Sequence, residues 1–328
     1  MLRRTFCIFL TWAALAGPVM AADTPSTLNF GIIATDSSNN LMNKWQPLVD
    51  DLSKALGMPV KPFFASDYAG VIEGMRFNKV QLAWYGNKSA IQAVDRAGGE
   101  VFANVVYSSG EPGYYALLVT NKNSKVKTLD DVFKLGPTLN YGAGDPNSTS
   151  GTAVPNYYLW GKHNVDALKF FKHAMIADHQ TDLLAAINNR VDVAIANNET
   201  LRDYNQNTGK DPMDSVRILW KSPLIPSDPL VWRKDLPADL KTRIRDFFVH
   251  YGQGAGPQAE RQKKALAALN YSGFHASSNA QLVPIRQIDL AHEKDVIQAD
   301  KKMDDATRQQ KLAAIDKRLA ELSAQAGQ

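Results

Sequence analysis

Hydroxyl, histidine and carboxylate side chains carry the chemistry that this 328-residue sequence offers. The most informative run is residues 142–151, Gly-Ala-Gly-Asp-Pro-Asn-Ser-Thr-Ser-Gly, with three adjacent hydroxyls at Ser148, Thr149 and Ser150. A strand is predicted to end here and a helix to begin near Ser150. The first N–H groups of a helix have no partners within it and carry part of the positive helix dipole. Together with the hydroxyls, they could surround a tetrahedral oxyanion.

Two interpretations of this run stay open. No Gly-Lys-Ser/Thr sequence accompanies it, so there is no P-loop, and the pattern favours a small anion over a nucleotide. Gly151 would permit the close approach that an anion needs. Alternatively, Ser148 or Thr149 could simply cap the helix.

Two carboxylates and two tyrosines could bind a cation. Glu199 follows a predicted strand at residues 191–196, and Asp228 lies between two prolines. A carboxylate pair would attract an ammonium group, and Tyr68 and Tyr114 could add hydroxyl contacts or cation–π attraction. Structural roles also remain open. Glu199 could occupy the first turn of a helix, where acids are favoured, and Asp228 could shape a turn.

His179 lies between a predicted strand and a predicted helix. Its ring could donate to the same anion, or it could be a surface or capping residue. The other five histidines show no metal-ligand spacing such as His-x-x-x-His, and no Gly-x-Ser-x-Gly nucleophile elbow occurs. Because the sequence offers no catalytic set, we predict a binding protein with neither metal nor cofactor.

Alternating strands and helices are predicted to position these residues. The composition, 45% hydrophobic and 21% charged, is that of a folded globular protein, and a formal net charge of +4 does not by itself indicate a nucleic-acid partner. Strands are predicted at residues 28–34, 60–64, 80–85, 139–142, 170–176 and 191–196. Strands separated by helices predict parallel sheets covered on both faces. Ligands bind beyond the carboxyl ends of such strands.

The sequence contains a partial copy of itself at an offset of 111 residues. Residues 27–31 (Thr-Leu-Asn-Phe-Gly) recur at 138–142 (Thr-Leu-Asn-Tyr-Gly), and residues 78–83 resemble 189–194. Asp67 likewise corresponds to Asp178. Three matches at one spacing predict two lobes built on the same plan. Convergence of two α/β units on similar sequences is the alternative, and it would also give two similar lobes.

The first 21 residues have the three-part pattern of a secretory signal peptide. Arg3 and Arg4 precede an uncharged, mostly apolar run at 6–17, and residues 19–21 match a small-x-small cleavage site. The alternative is an uncleaved membrane anchor, for which this run is short. The only cysteine, Cys7, lies in this segment, so the mature chain could form no disulfide. No later stretch reaches the roughly 20 apolar residues that span a bilayer.

The remaining chain is predicted to form two lobes and a tail. Lobe one would consist of residues 26–118 and 229–291, and lobe two of residues 119–228. Extended stretches at 114–120 and 229–232 are predicted crossovers between the lobes. The charged tail, residues 292–328, is predicted to be a surface helix that packs on the body or binds a partner.

Further stretches spread over the chain share a family's sequence pattern. They are residues 28–33, 63–65, 67–70, 74–80, 83–87, 144–151, 220–226, 228–229 and 282–287. In these stretches the sequence closely resembles the periplasmic phosphonate-binding proteins of ABC transporters. It departs from the pattern in the length of the loop at 209–216 and in Ser227, where the near relative carries glycine. The tail is poorly matched.

The resemblance implies a type II periplasmic binding protein fold, with two similar α/β lobes joined by two crossover strands. It also implies a ligand set. Ser148, Thr149, Ser150 and His179 would hold the phosphonate oxygens. Glu199 and Asp228, with Tyr68 and Tyr114, would receive the ammonium end of an aminoalkylphosphonate such as 2-aminoethylphosphonate.

The same resemblance implies a periplasmic location and a membrane permease of an ABC transporter as the partner, with no nucleic acid and no membrane insertion of the mature chain. Phosphate esters or phosphite are alternative ligands. An exported hydrolase of phosphorus compounds is a further alternative, although it would need a metal cluster or an activated nucleophile. A ligand sensor for a membrane receptor would use the same site.

Overall fold

The computed structural model describes residues 25–326. The predicted signal peptide, residues 1–21, lies outside the described residues. In the described part, the strands form two main sheets, one in each lobe, and a two-stranded sheet between them. None of the helices from residue 25 to residue 326 has the length and apolar character needed to cross a membrane.

Lobe one is built on a six-stranded sheet with the spatial order β13-β4-β12-β3-β1-β2. Its strands are β1 (Leu28–Ile32), β2 (Val60–Phe64), β3 (Leu82–Trp84), β4 (Gly99–Tyr107), β12 (Pro229–Arg233) and β13 (Tyr271–Ala276). Its helices are α1 (Ser38–Leu56), α2 (Tyr68–Arg76), α3 (Asn87–Arg96), α8 (Ala238–His250) and α9 (Pro257–Ala268). The apolar positions of α1, including Trp45 and Leu48, are buried at helical spacing.

Lobe two is built on a five-stranded sheet with the order β10-β6-β9-β7-β8. Its strands are β6 (Ala116–Asn121), β7 (Asn140–Gly144), β8 (His173–Ala177), β9 (Val193–Asn197) and β10 (Val216–Lys221). Its α-helices are α4 (Leu129–Leu135), α5 (Ala167–Phe170), α6 (His179–Ile187) and α7 (Asn198–Thr208). Where the sequence predicted a helix that begins near Ser150, the chain forms two π-helical segments, Thr149–Ala153 and Asn156–Trp160.

The prediction of parallel sheets is wrong for part of each sheet. In lobe one, β1 runs parallel to β2 and β3, but β12 enters between β3 and β4 and is antiparallel to both. In lobe two, β7 runs parallel to β8 and β9, and β6 is antiparallel to β9 and β10. The reason is that β12 and β6 reach their sheets directly from the other lobe, without the helical return that parallel neighbours need.

The two lobes repeat each other down to their helix caps. Asp67 and Asp178 each cap the helix that follows by accepting the N–H three residues on, at 2.8 and 2.9 Å. Asn78 and Asn189 each end that helix in a left-handed conformation, with φ of 55° and 54°. Asparagine is one of the few residues that tolerate such a backbone. Because both pairs are separated by 111 residues, the sequence repeat corresponds to a structural one.

The crossovers pass through a small hinge sheet. The two-residue strands β5 (Gly113–Tyr114) and β11 (Ile225–Pro226) pair antiparallel, one on each chain pass between the lobes. Each is followed by a strand of the receiving lobe, β6 or β12. The predicted lobe boundary after residue 118 therefore falls inside β6, which pairs with lobe two along its whole length.

The chain ends in two helices, α10 (Val283–Ala299) and α11 (Asp305–Ala326). The predicted start of the tail at residue 292 falls inside α10, whose N-terminal Val283 and Ile285 are buried. Arg286 of α10 forms a two-pronged salt bridge with Asp95 of lobe one, at 2.7 and 2.6 Å. The helix is therefore part of the body of the protein as well as the base of the tail.

Candidate ligand-binding site

A cavity between the two lobes collects every residue that the sequence singled out for binding. Tyr68 and the segments around it come from lobe one, and the hydroxyl run comes from lobe two. The eight predicted residues that line the cavity are Tyr68, Tyr114, Ser148, Thr149, Ser150, His179, Glu199 and Asp228. Its volume of about 70 Å³ has room for a few waters or a ligand of a few heavy atoms.

The hydroxyl run occupies the first turn of a helix that borders the cavity. Ser148 is the N-cap, and its Oγ accepts the Gly151 N–H at 2.9 Å. Ser150 Oγ accepts from the Asn197 side chain at 3.2 Å. All three hydroxyl residues are buried. The capping and anion-binding interpretations of Ser148 are thus compatible, because a cap orients the same N–H groups that an anion would use.

Two glycines let this turn form. A Cβ atom on Gly144 would lie 2.5 Å from the Gly151 Cα, and a Cβ on Gly151 would lie 3.0 Å from the Gly144 Cα. The end of β7 and the first helical turn therefore touch backbone to backbone. The sequence signal for Gly151 was a close approach to a ligand, whereas the structure shows a close approach to β7.

His179 joins the hydroxyl cluster from the first position of α6. Its Nε2 lies 3.1 Å from Ser148 Oγ and 3.3 Å from Ser150 Oγ, while its buried Nδ1 has no hydrogen-bond partner among the described residues. Burial lowers the pKa of His179 to about 4, against a smaller opposite effect of the Asp178 charge. The ring is therefore neutral at pH 7, and a proton on Nε2 would give the cluster a donor.

Glu199 and Asp228 form the acidic side of the cavity. Glu199 lies in the first turn of α7, where Oε1 accepts from Arg202 at 2.7 Å and from Asn198 at 2.8 Å. Its Oε2 is buried without a hydrogen-bond partner among the described residues. Burial raises the pKa of Glu199 to about 7, in spite of the Arg202 charge. The first-turn role left open by the sequence is therefore real, and Glu199 also lines the cavity.

Asp228 follows β11 on the chain's return to lobe one. Its backbone carbonyl accepts the Val105 N–H at 3.0 Å, which fixes the turn between the two prolines. Its Oδ1 is buried without a hydrogen-bond partner in the described part of the chain. Burial raises the pKa of Asp228 to about 8, the Tyr114 hydroxyl lowers it, and the Glu199 charge raises it. Glu199 Oε2 and Asp228 Oδ1 are therefore two buried oxygens without a hydrogen-bond donor among the described residues.

Four buried tyrosines line the cavity, of which the sequence identified Tyr68 and Tyr114. The others, Tyr107 and Tyr271, come from β4 and β13. Burial raises the pKa of all four well above the ordinary value, and the Asp228 charge adds to the effect. They therefore stay neutral and can both donate and accept. Tyr107 and Tyr271 carried no local sequence signal, because only the sheet pairing brings their strands to the cavity.

Several lobe-to-lobe hydrogen bonds surround the cavity. The Tyr68 N–H donates to Asp145 Oδ2 at 3.1 Å, and the Lys88 N–H donates to Thr149 Oγ1 at 2.9 Å. The Gln180 N–H donates to the Thr35 carbonyl at 3.3 Å. The lobes are therefore in contact, and the cavity is enclosed between them.

The cavity lining combines two kinds of polar group. Hydroxyls, a histidine and a helix N-terminus occur together with two carboxyl groups. Within residues 25–326, no group of three His, Cys, Asp or Glu residues is placed to hold a metal ion. The arrangement can bind a small molecule that carries an anionic group and a cationic group.

Comparisons with known proteins match this chain to a family. A family model described as the periplasmic phosphonate substrate-binding protein of an ABC transporter matches residues 30–282, well over half of the chain. The phosphonates-binding periplasmic protein of Escherichia coli strain K12 is 44% identical over 317 residues, which cover 97% of this chain and 92% of that protein.

Solved structures confirm the type II periplasmic binding fold. A binding protein component of an ABC phosphonate transporter from Pseudomonas aeruginosa is 46% identical, with a TM-score of 0.86 over 92% of this chain and 98% of that one. A Prochlorococcus marinus protein solved with methylphosphonate is 22% identical, with a TM-score of 0.69 over 81% of this chain and 97% of that one. At that identity the second comparison supports the fold alone.

Proposed function

The chain belongs to the family of periplasmic phosphonate-binding components of ABC transporters, and from that premise we propose that it captures 2-aminoethylphosphonate between its lobes. The closed protein would then deliver the ligand to a membrane permease. We also propose that the chain works in the periplasm after cleavage of residues 1–21. Its relatives are substrate-binding proteins, not enzymes.

The observation that carries the choice of ligand is the presence of both anion-binding groups and carboxyl groups in one cavity lining. Ser148, Ser150 and His179 would receive the phosphonate oxygens, with Thr149 and the N–H groups of the same helical turn. Hydrogen bonds from these groups to an anion are charge-assisted and worth roughly 1.5–3 kcal/mol each. A doubly charged anion also gains from the positive end of a helix.

Glu199 Oε2 and Asp228 Oδ1 would receive the ammonium group. Each is a buried acceptor without a hydrogen-bond partner among the described residues, and a buried polar group in that state destabilises the protein by about 1–3 kcal/mol. An ammonium donates three hydrogen bonds, so one group could satisfy both carboxyls. Tyr68 and Tyr114 would bind the ligand between the two ends. An alkylphosphonate without an amine would leave both carboxyl oxygens without a hydrogen-bond donor.

Ligand binding would hold the lobes together because its contacts come from both. The hydroxyl cluster belongs to lobe two, whereas Tyr68 belongs to lobe one, and Asp228, at the predicted end of lobe two, accepts a hydrogen bond from Val105 of lobe one. Only a ligand that binds the closed form better than the open form can shift that equilibrium. The hinge sheet β5–β11 is the place where such a rotation would occur.

The alternative ligands and the alternative functions each make a different prediction. Phosphate, phosphate esters and phosphite share the tetrahedral anion but lack the amine. If one of them were the ligand, Glu199 and Asp228 would have no role in binding. A hydrolase would release phosphate from a phosphorus compound, and a receptor partner would leave the binding site as proposed.

Calorimetry on the mature protein tests the proposal with 2-aminoethylphosphonate, ethylphosphonate, phosphate and phosphite. We expect 2-aminoethylphosphonate to bind tightest. Glu199→Gln should weaken it by about 10- to 100-fold, the equivalent of one charge-assisted hydrogen bond, and should change ethylphosphonate binding by less than about threefold. Glu73→Gln, an exposed substitution on α2, is the matched control.

Two results would contradict the proposal. Equal losses for the amine and the alkyl ligand would remove Glu199 from the ammonium site. Preferred binding of phosphate or phosphite by the unaltered protein would show that 2-aminoethylphosphonate is not the ligand. Release of phosphate from any ligand during the titration would instead support the hydrolase.

A further inference from the structure

A salt bridge joins the lobes beside the cavity. Lys44 Nζ of α1, in lobe one, lies 2.5 Å from Asp203 Oδ1 of α7, in lobe two. The same oxygen accepts the Asn270 side-chain amide of lobe one at 2.9 Å. We propose that Lys44 and Asp203 are positioning residues that hold the cleft closed and so raise the affinity for every phosphonate, with or without an amine. The inference rests on the proposed function.

Of this pair, only Asp203 borders the cavity, and its Oδ1 already accepts hydrogen bonds from Lys44 and Asn270. Lys44 is not among the described residues that line the cavity. Removing the Lys44 charge therefore tests closure without removing a ligand contact.

The lobe-one side of this contact is held rigidly. Asn270 has a φ of 60°, and its N–H donates to the Ala267 carbonyl at 3.0 Å. Its own carbonyl accepts the Ser108 N–H at 2.8 Å. Nearby, the Gln206 side chain of α7 donates to the Ala267 carbonyl at 3.0 Å. The turn between α9 and β13 thus presents fixed groups to α7.

Burial makes the contact more than a surface ion pair. The Lys44 side chain is 13% exposed and that of Asp203 is 30% exposed, so both are partly shielded from water and salt. Exposed pairs contribute little, but a partly buried carboxylate that loses its partner is left poorly solvated. Burial raises the pKa of Asp203, and the Lys44 charge opposes that rise. Asp36, which also borders the cavity, adds a repulsive charge.

The helix α7 carries two residues with different proposed roles, Asp203 in lobe closure and Glu199 in ligand selection. Glu199 lies one helical turn before Asp203, and the Asp203 charge contributes to the raised pKa of Glu199. When the lobes close, Lys44 neutralises Asp203 and leaves Glu199 for the ligand. A contact formed only in the closed state scales the affinity of all ligands by one factor, whereas Glu199 distinguishes between them.

The test compares Lys44→Met with Lys44→Arg. We expect Lys44→Met to weaken both 2-aminoethylphosphonate and ethylphosphonate by about tenfold, mainly through faster dissociation. Lys44→Arg should stay within about threefold of the unaltered protein, because arginine can restore the pair. Asp203→Asn should add little to Lys44→Met, since each removes the same interaction. The matched control is Lys241→Met, which breaks the Lys241–Glu100 pair of 2.7 Å inside lobe one.

Unchanged affinity in Lys44→Met would overturn the inference, and so would a loss confined to the amine ligand. Small-angle scattering of the ligand-free protein tests the closing role of Lys44 independently of ligand affinity. Lys44→Met should have a larger radius of gyration than the unaltered protein and Lys241→Met, and equal radii would contradict the closing role. If the unaltered protein binds no phosphonate, the proposed function fails while the scattering comparison still decides the closing role.

Discussion

At the scale of single residues, the protonation of two acids governs the proposed ammonium site. Burial places the pKa of Glu199 at about 7 and that of Asp228 at about 8. Both groups are therefore partly protonated near neutral pH when no cation is bound. An ammonium ligand favours their charged forms, so its binding should release protons.

We expect the preference for the amine to rise with pH. Between pH 6 and pH 9, the affinity ratio of 2-aminoethylphosphonate to ethylphosphonate should increase, because Glu199 and then Asp228 become carboxylates while a lysine-like amine stays charged. Each affinity is first corrected for the titration of that ligand's own phosphonate, because the ammonium group lowers the second pKa of the phosphonate that carries it. Calorimetry at a series of pH values measures the ratio. A ratio that does not vary with pH would place the amine away from both acids.

The site residues were predictable where local sequence carries the chemistry. Ser148, Thr149 and Ser150 follow a strand and open a helix, and that order is visible in the sequence. Tyr107 and Asp203 were missed because Tyr107 is the last residue of β4 and Asp203 lies in the middle of α7, and neither position carries a local sequence signal for binding. Their approach to the cavity depends on sheet order and on lobe closure, which no local pattern encodes.

At the scale of elements, α2 and α6 show how one position of the repeat has diverged. In lobe one, Val71 of α2 packs on Gly31 of β1, so closely that a Cβ there would lie 2.6 Å from the valine methyl. In lobe two, the counterpart of Val71 is Asp182 of α6, which packs on Gly142 of β7. A Cβ on Gly142 would lie 2.8 Å from Asp182 Oδ1. Neither carboxyl oxygen of Asp182 has a hydrogen-bond partner among the described residues.

Replacing this acid by the residue of the other lobe should stabilise the protein. Burial raises the pKa of Asp182 to about 9, above its ordinary value, so the folded state binds a proton that the unfolded state lacks between about pH 4 and pH 9. Stability should fall as pH rises through that window. We expect Asp182→Val to increase the free energy of unfolding by about 1–3 kcal/mol at pH 7.

Urea denaturation at pH 5, 7 and 8.5 measures the effect. The gain from Asp182→Val should grow with pH, and Asp182→Asn, which removes the titration but keeps a buried polar group, should gain less. A destabilised valine variant would show that Asp182 has a partner that the ligand-free contacts do not include.

At the scale of the whole molecule, the hinge sheet links two lobes of matching strand order. Counted from the outer strand, β2-β1-β3-β12 in lobe one corresponds to β8-β7-β9-β6 in lobe two. The 111-residue repeat predicted this likeness. The antiparallel strands β12 and β6 could not be predicted from helical spacing, because their direction depends on the crossovers.

The hinge should tolerate no added bulk at Gly113. A Cβ atom there would lie 1.9 Å from the Ile225 carbonyl oxygen, so Gly113→Ala must push β5 away from β11. We expect it to weaken all phosphonates by roughly tenfold or more, the equivalent of about 1.4 kcal/mol. Gly273→Ala, a strand position with open space around its Cβ, is the control. Calorimetry showing the same affinity for both variants would contradict a rigid hinge.

The insertion of β12 between β3 and β4 has a consequence for the order in which the two lobes fold. All five strands of lobe two lie between residues 116 and 221, whereas the sheet of lobe one lacks an interior strand until residues 229–233 have joined it. A folding chain could therefore complete its second lobe before its first. Until then, the unpaired edges of β3 and β4 would offer strands to neighbouring chains, and a chaperone that covers them would have its greatest effect during that interval.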